Sequence, residues 1–67
     1  MTMYTIDGFP DYMMRDDCTV WRDGEQVRPY FNYHRGLLID LFYESGQLQT
    51  VRMVELINEV FPPRWRR

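Results

Sequence analysis

From Leu37 to Tyr43 the chain alternates: Leu37, Ile39, Leu41 and Tyr43 fall on one side, Leu38, Asp40 and Phe42 on the other. A period of two marks a strand. Apolar residues on both sides predict a central strand over 36–43, with Asp40 marking the more solvated face. From Val51 to Phe61 the period lengthens. Met53, Val54, Ile57, Val60 and Phe61 recur at steps of three and four, and Val51 and Leu56 widen the stripe. Arg52, Glu55, Asn58 and Glu59 take the other side. This spacing predicts an amphipathic helix over 50–61. Thr50 reads as its N-cap, with the hydroxyl accepting from first-turn amides. Pro62-Pro63 ends it, because neither residue continues a helix.

The first half of the chain carries turn chemistry between short apolar runs. Tyr4-Thr5-Ile6 reads as a short edge strand or an ordered arm. Asp7-Gly8-Phe9-Pro10 is a turn. Strands follow over 11–15 and 18–22, separated by a tight turn at Asp16-Asp17. Asp23-Gly24 is a strong hairpin dipeptide and leads into a strand over 26–30. Pro29 lacks a ladder donor, so that strand is short or lies at an edge. Residues 31–36 read as a loop, and 47–49 as a short strand pairing back after the Glu44-Ser45-Gly46 turn.

The expected fold is therefore α+β. A small twisted antiparallel sheet of three to five strands is packed by one C-terminal helix, in one domain of 67 residues. Residues 62–67 form a basic tail.

Composition changes this picture in one respect. The chain has eleven aromatic rings among its 67 residues. A domain this small buries only about 60% of its unfolded surface, so some rings must face solvent. They form either a recognition face or the cover that a small sheet gives itself.

Charge is uneven. The formal net charge is −2, and all eight basic residues are Arg. Arg suits planar and bidentate contacts, although GC-rich codon usage produces the same bias. Six acids lie before Val27 (Asp7, Asp11, Asp16, Asp17, Asp23, Glu25), against Arg15 and Arg22. The only basic cluster is Arg64-Trp65-Arg66-Arg67, which suits either a phosphate backbone or a solubilising terminus. A nucleic-acid-binding domain usually shows a clearly basic footprint, and the acidic balance weighs against strong DNA binding.

Catalytic chemistry is not indicated. Cys18 and His34 are the only residues of their kinds, and a thiol–imidazole pair or a metal site needs convergent partners. Cys18 excludes an internal disulfide and fits a reducing compartment. No calcium-loop spacing and no phosphate-binding glycine loop occurs. No cofactor is expected. The start of the chain lacks the basic and apolar segments of a secretory signal, and no apolar stretch is long enough for a bilayer. A cytoplasmic protein without membrane contact is the expectation.

The run Ile6-Asp7-Gly8-Phe9-Pro10-Asp11-Tyr12, continuing through Cys18-Thr19-Val20-Trp21, resembles the nuclease-associated modular (NUMOD-type) domain in front of phage HNH endonucleases. Gly36-Leu37 to Leu41, Gly46, Thr50-Val51-Arg52-Met53-Val54 and Phe61-Pro62 are similar to the remainder, so the resemblance spans residues 6–62. It implies a nucleic-acid-oriented scaffold of phage type. Family members commonly carry His-Arg after the Val of the helix start, where this chain has Arg52-Met53. The Asn-His metal segment that follows in a nuclease has no counterpart, so the resemblance implies no catalytic residue.

These features lead to three expectations. The first is a non-enzymatic binding module that inhibits or modulates a protein of host nucleic-acid metabolism or defence, in the bacterial cytoplasm if phage-encoded. Its contacts would be Tyr30, Phe31, Tyr33 and Arg35 in the loop, with Asp16, Asp17 and Trp21 on the first hairpin. The second is a DNA-binding module using Arg28, Arg35, Arg52, Arg64, Trp65, Arg66 and Arg67. The third is a self-associating fragment that pairs exposed edge strands. A monomer or weak homodimer fits all three.

Overall fold

The computed structural model describes residues 2–62. The fold is α+β, as the periodicities predict, but the strands divide into two antiparallel sheets. The first sheet joins β1 (Met3–Ile6), β2 (Phe9–Arg15), β3 (Val20–Arg22) and β4 (Glu25–Val27) in that order. The second joins β5 (Tyr30–Asn32), β6 (Gly36–Phe42) and β7 (Leu48–Arg52). Helix α1 (Met53–Val60) follows directly. Each strand pairs with its neighbour in sequence, so both sheets are simple meanders.

The break between the sheets falls at Arg28-Pro29. One strand over 26–30 was expected there. Instead, β4 ends at Val27 and β5 starts at Tyr30. Pro29 has no N–H for a ladder, and the chain uses that point to change sheets. The expected loop over 31–36 consequently holds most of a strand.

Turn residues set the registers. Arg22 pairs with Glu25 across Asp23-Gly24, both of which have positive φ (51° and 79°). This is the two-residue turn that the Asp-Gly pair predicts. The β2–β3 connection is longer than expected. Cys18 donates its backbone N–H to the Arg15 carbonyl at 2.9 Å and takes φ 69°. That left-handed residue keeps Cys18 and Thr19 in the turn, so the strand predicted from 18 starts at Val20.

One core unites the sheets. It contains Ile6, Phe9, Tyr12, Met14 and Val20 from the first, Ile39 and Leu41 from β6, and Met53 and Leu56 from α1. The helix packs on β1 of one sheet and on β6 and β7 of the other. Phe9 stacks on Tyr43 (centroids 4.7 Å, planes 19° apart), and the Phe61 ring stands edge-on to Tyr4 at 4.8 Å. The centrality of β6 is as expected. Its faces are less uniform, because Ile39 and Leu41 are in the core while Leu37 is 48% exposed.

The helix starts later than its spacing suggests. Thr50 is a β7 residue opposite Asp40, and its hydroxyl donates to the Asp40 carboxylate at 2.7 Å. It therefore caps nothing. Arg52, in extended backbone, occupies the N-cap without a side-chain bond. The buried stripe is also narrower than the spacing suggests. Met53 and Leu56 are buried, Ile57 and Val60 pack beside them, and Val54 is 60% exposed. Phe61, which has left the helical region (φ −123°, ψ 84°) before Pro62, ends the helix, as expected for a pre-proline residue.

Candidate binding surface on the β5–β6 hairpin

Tyr30, Phe31 and Asn32 pair with Leu38, Leu37 and Gly36. Residues opposite one another in an antiparallel pair share a face, so Phe31 and Leu37 project together and Tyr30 projects from the other side. The connecting turn is fixed from within. The Asn32 side-chain oxygen accepts the backbone N–H groups of His34 and Arg35, each at 2.9 Å. Gly36 closes the turn at φ 85°, a conformation suited to a residue without a Cβ. On this tied frame Phe31 is 72% exposed and Tyr33 87%. The Tyr33 ring meets His34 edge-on at 5.2 Å.

Tyr30 is anchored rather than free. Its hydroxyl donates to Asp40 Oδ1 at 2.8 Å, the same oxygen that accepts from Thr50. The bond to the anionic carboxylate favours the protonated phenol and raises the Tyr30 pKa above its ordinary value, with desolvation adding to the effect.

The predicted contact residues therefore separate. Tyr30, Phe31, Tyr33 and Arg35 come together on the β5–β6 hairpin. Asp16, Asp17 and Trp21 belong to the β2–β3 hairpin of the other sheet, where they serve local structure. The Asp17 carboxylate accepts the Thr19 backbone N–H at 3.0 Å and the Thr19 hydroxyl at 2.5 Å. Those bonds, the side-chain one first, lower its pKa. The Trp21 indole donates to the Thr19 hydroxyl at 2.7 Å, and the Arg15 guanidinium lies 3.6 Å from the ring centroid. One face of Trp21 is thus already covered. Asp16 is exposed at the turn.

Arg28, Arg35 and Arg52 are exposed at the margins of the second sheet. Arg15 and Arg22, by contrast, lie over Trp21 and Tyr12. Arg64, Trp65, Arg66 and Arg67 lie outside the described residues. Leu37 belongs to the surface although alternation assigns it to the buried face; its pairing with Phe31, at the end of the sheet beyond the core, explains the difference.

Cys18 and His34 occupy turns of different sheets. Among the described residues no three His, Cys, Asp or Glu side chains converge as a metal site requires. A shallow cleft of about 300 Å³ between β1 and α1 is lined by Tyr4, Thr5, Asp7, Glu59 and Val60. It holds two carboxylates and the hydroxyl-bearing residues Tyr4 and Thr5, with no Cys, His or Ser among its lining residues. Among the described residues no helix is long and apolar enough to cross a membrane. The chain matches no family model, and no curated protein or solved structure matches it.

Proposed function

We propose that the chain is a non-catalytic binding module that engages another protein through the β5–β6 hairpin. The observation that carries this is the clustering of Phe31, Tyr33 and Leu37, at 72%, 87% and 48% exposure, on a turn tied by Asn32. Aromatic anchors dominate protein interfaces. A frame that is already ordered keeps the entropy cost of docking small. The resemblance to the phage HNH-associated domain supports a partner from host nucleic-acid metabolism or defence, inhibited or modulated in the bacterial cytoplasm. The test is affinity capture of the tagged chain from bacterial lysate, with and without nuclease. A stoichiometric protein that survives nuclease supports the proposal. Proteins that vanish with the nucleic acid count against it.

One observation favours a second reading, a single-stranded nucleic-acid module. Between Gln26 and Ile39 there is no carboxylate, and Arg28 and Arg35 flank the exposed rings. Rings stack on bases and Arg neutralises phosphates. If Arg28, Arg35 and Arg52 each release a counterion, log affinity should fall against log salt with a slope of about −2. Binding that is flat with salt removes this reading.

A further inference from the structure

We propose that the outer face of the β5–β6–β7 sheet is a self-association surface, on which a second copy of this chain packs face to face. This goes beyond the hairpin proposal and uses neither Phe31 nor Tyr33. Because Ile39, Leu41 and Val51 turn inward to the core, the alternate positions turn outward. They are Asp40 and Phe42 on β6, and Leu48, Thr50 and Arg52 on β7; Leu38 has the same phase but is 2% exposed, paired with Tyr30, whose hydroxyl reaches Asp40.

This face has two unusual properties. Phe42 and Leu48 sit opposite each other and remain 43% and 47% exposed. Beside them stand one carboxylate and one guanidinium, Asp40 and Arg52. Both Asp40 hydrogen bonds fall on Oδ1, which leaves Oδ2 open to an incoming donor. An isologous interface needs a surface that complements itself. A face bearing one charge of each sign on adjacent strands meets that need.

The register fixes how two copies would meet. A two-fold axis parallel to the strands, between β6 and β7, sets β6 of each copy over β7 of the other. Phe42 then meets Leu48 of the second copy, and Asp40 meets Thr50. Arg52 of the second copy comes over the position where Tyr30 pairs with the buried Leu38, two residues along the strand from Asp40, and reaches from there toward Asp40 Oδ2. Sheets packed this way stand about 10 Å apart, which an Arg and an Asp together span. The face is small beside the roughly 800 Å² per partner of a standard interface. The dimer is therefore weak and appears only at high concentration.

Sedimentation of the full chain, from low micromolar to about millimolar concentration, reads this directly. The weight-average mass should rise toward that of a dimer. Asp40→Arg and Arg52→Asp should each stay monomeric, because their homodimers oppose like charges. Their equimolar mixture should associate, because every contact is then again of opposite sign. Leu48→Glu, which leaves the Asp40 hydrogen bonds intact, should also stay monomeric with an unchanged circular dichroism spectrum. A wild-type chain that remains monomeric throughout overturns the proposal. So does association that persists in Leu48→Glu, or a mixture that fails to associate while both variants are folded.

Discussion

The hydroxyl oxygen of Tyr12 lies 2.9 Å from the amide nitrogen of Phe42 and accepts its hydrogen bond. Tyr12 belongs to β2 and Phe42 ends β6, so this bond fastens the two sheets to each other. The Tyr12 ring is 2% exposed, and its oxygen also accepts from Arg22 at 3.2 Å. Tyr12→Phe keeps the ring and removes the acceptor. An orphaned, partly buried donor costs about 1–2 kcal/mol. In a domain this size each kcal/mol lowers Tm by about 4–8 °C. Thermal melts should show that drop for Tyr12→Phe. An unchanged Tm would mean that the sheets are held by apolar packing alone.

Cys18 offers a sharper check of the backbone. With φ at 69° it stands where β-branched residues are disfavoured. Cys18→Val should destabilise the chain by about 1–2 kcal/mol, the cost of the left-handed conformation for a residue with a crowded Cβ. Cys18→Gly should be neutral or stabilising in urea unfolding. Were Cys18 a strand residue, as its apolar sequence neighbourhood suggests, the order of the two variants would reverse.

The phase of α1 is tested by two neighbouring positions. Leu56 is 2% exposed and Val54 is 60% exposed. Leu56→Ala should cost about 2–5 kcal/mol. Val54→Ala should stay within about 0.5 kcal/mol, as for other surface changes. Equal costs in denaturant titrations would place the buried stripe elsewhere.

These positions mark where local pattern was sufficient. The Asp23-Gly24 turn, the central β6 strand and the single C-terminal helix were legible, because each depends on residues within a few positions of itself. Thr50 was not. Nothing near it reveals that its hydroxyl donates to Asp40, ten residues earlier, and without that bond it resembles a helix cap. Val54 shares the apolar spacing but lies at the edge of the stripe, and packing of the helix on β1, β6 and β7 leaves it exposed, which local pattern does not reveal. β5 escaped notice because three residues after a proline show no period. Of the candidate site, the exposed rings Phe31 and Tyr33 were legible as surplus aromatics; that Tyr30 turns to the other face and bonds Asp40 was not. The turn role of Asp17 was legible as well, since a carboxylate at a turn caps nearby amides; its partner Thr19, which also accepts from Trp21, is two residues from each.

The Tyr30–Asp40 bond gives the chain a pH signature. The folded-state pKa of Tyr30 is raised above its ordinary 10.0. A raised pKa means that the folded state holds the proton more tightly than the unfolded one. The contribution is thus complete below the ordinary tyrosine range and is lost as pH rises through the folded value. Absorbance titration of the phenolates should show one late-titrating tyrosine that disappears in Tyr30→Phe. In Asp40→Asn that tyrosine should move back toward the ordinary range. A Tyr30 that titrates normally in the wild type would remove this bond from solution.

The central claim is that the β5–β6 hairpin is the docking surface, and the most direct measurement is an affinity comparison on the captured partner. Phe31→Ala/Tyr33→Ala should weaken binding about 30-fold or more, because exposed aromatic anchors of this kind are worth 2 kcal/mol and upward. Asp16→Asn, on the other sheet, should bind like the wild type. If the hairpin double variant keeps full affinity while folded, or if Asp16→Asn loses it, the surface has been placed on the wrong part of the molecule.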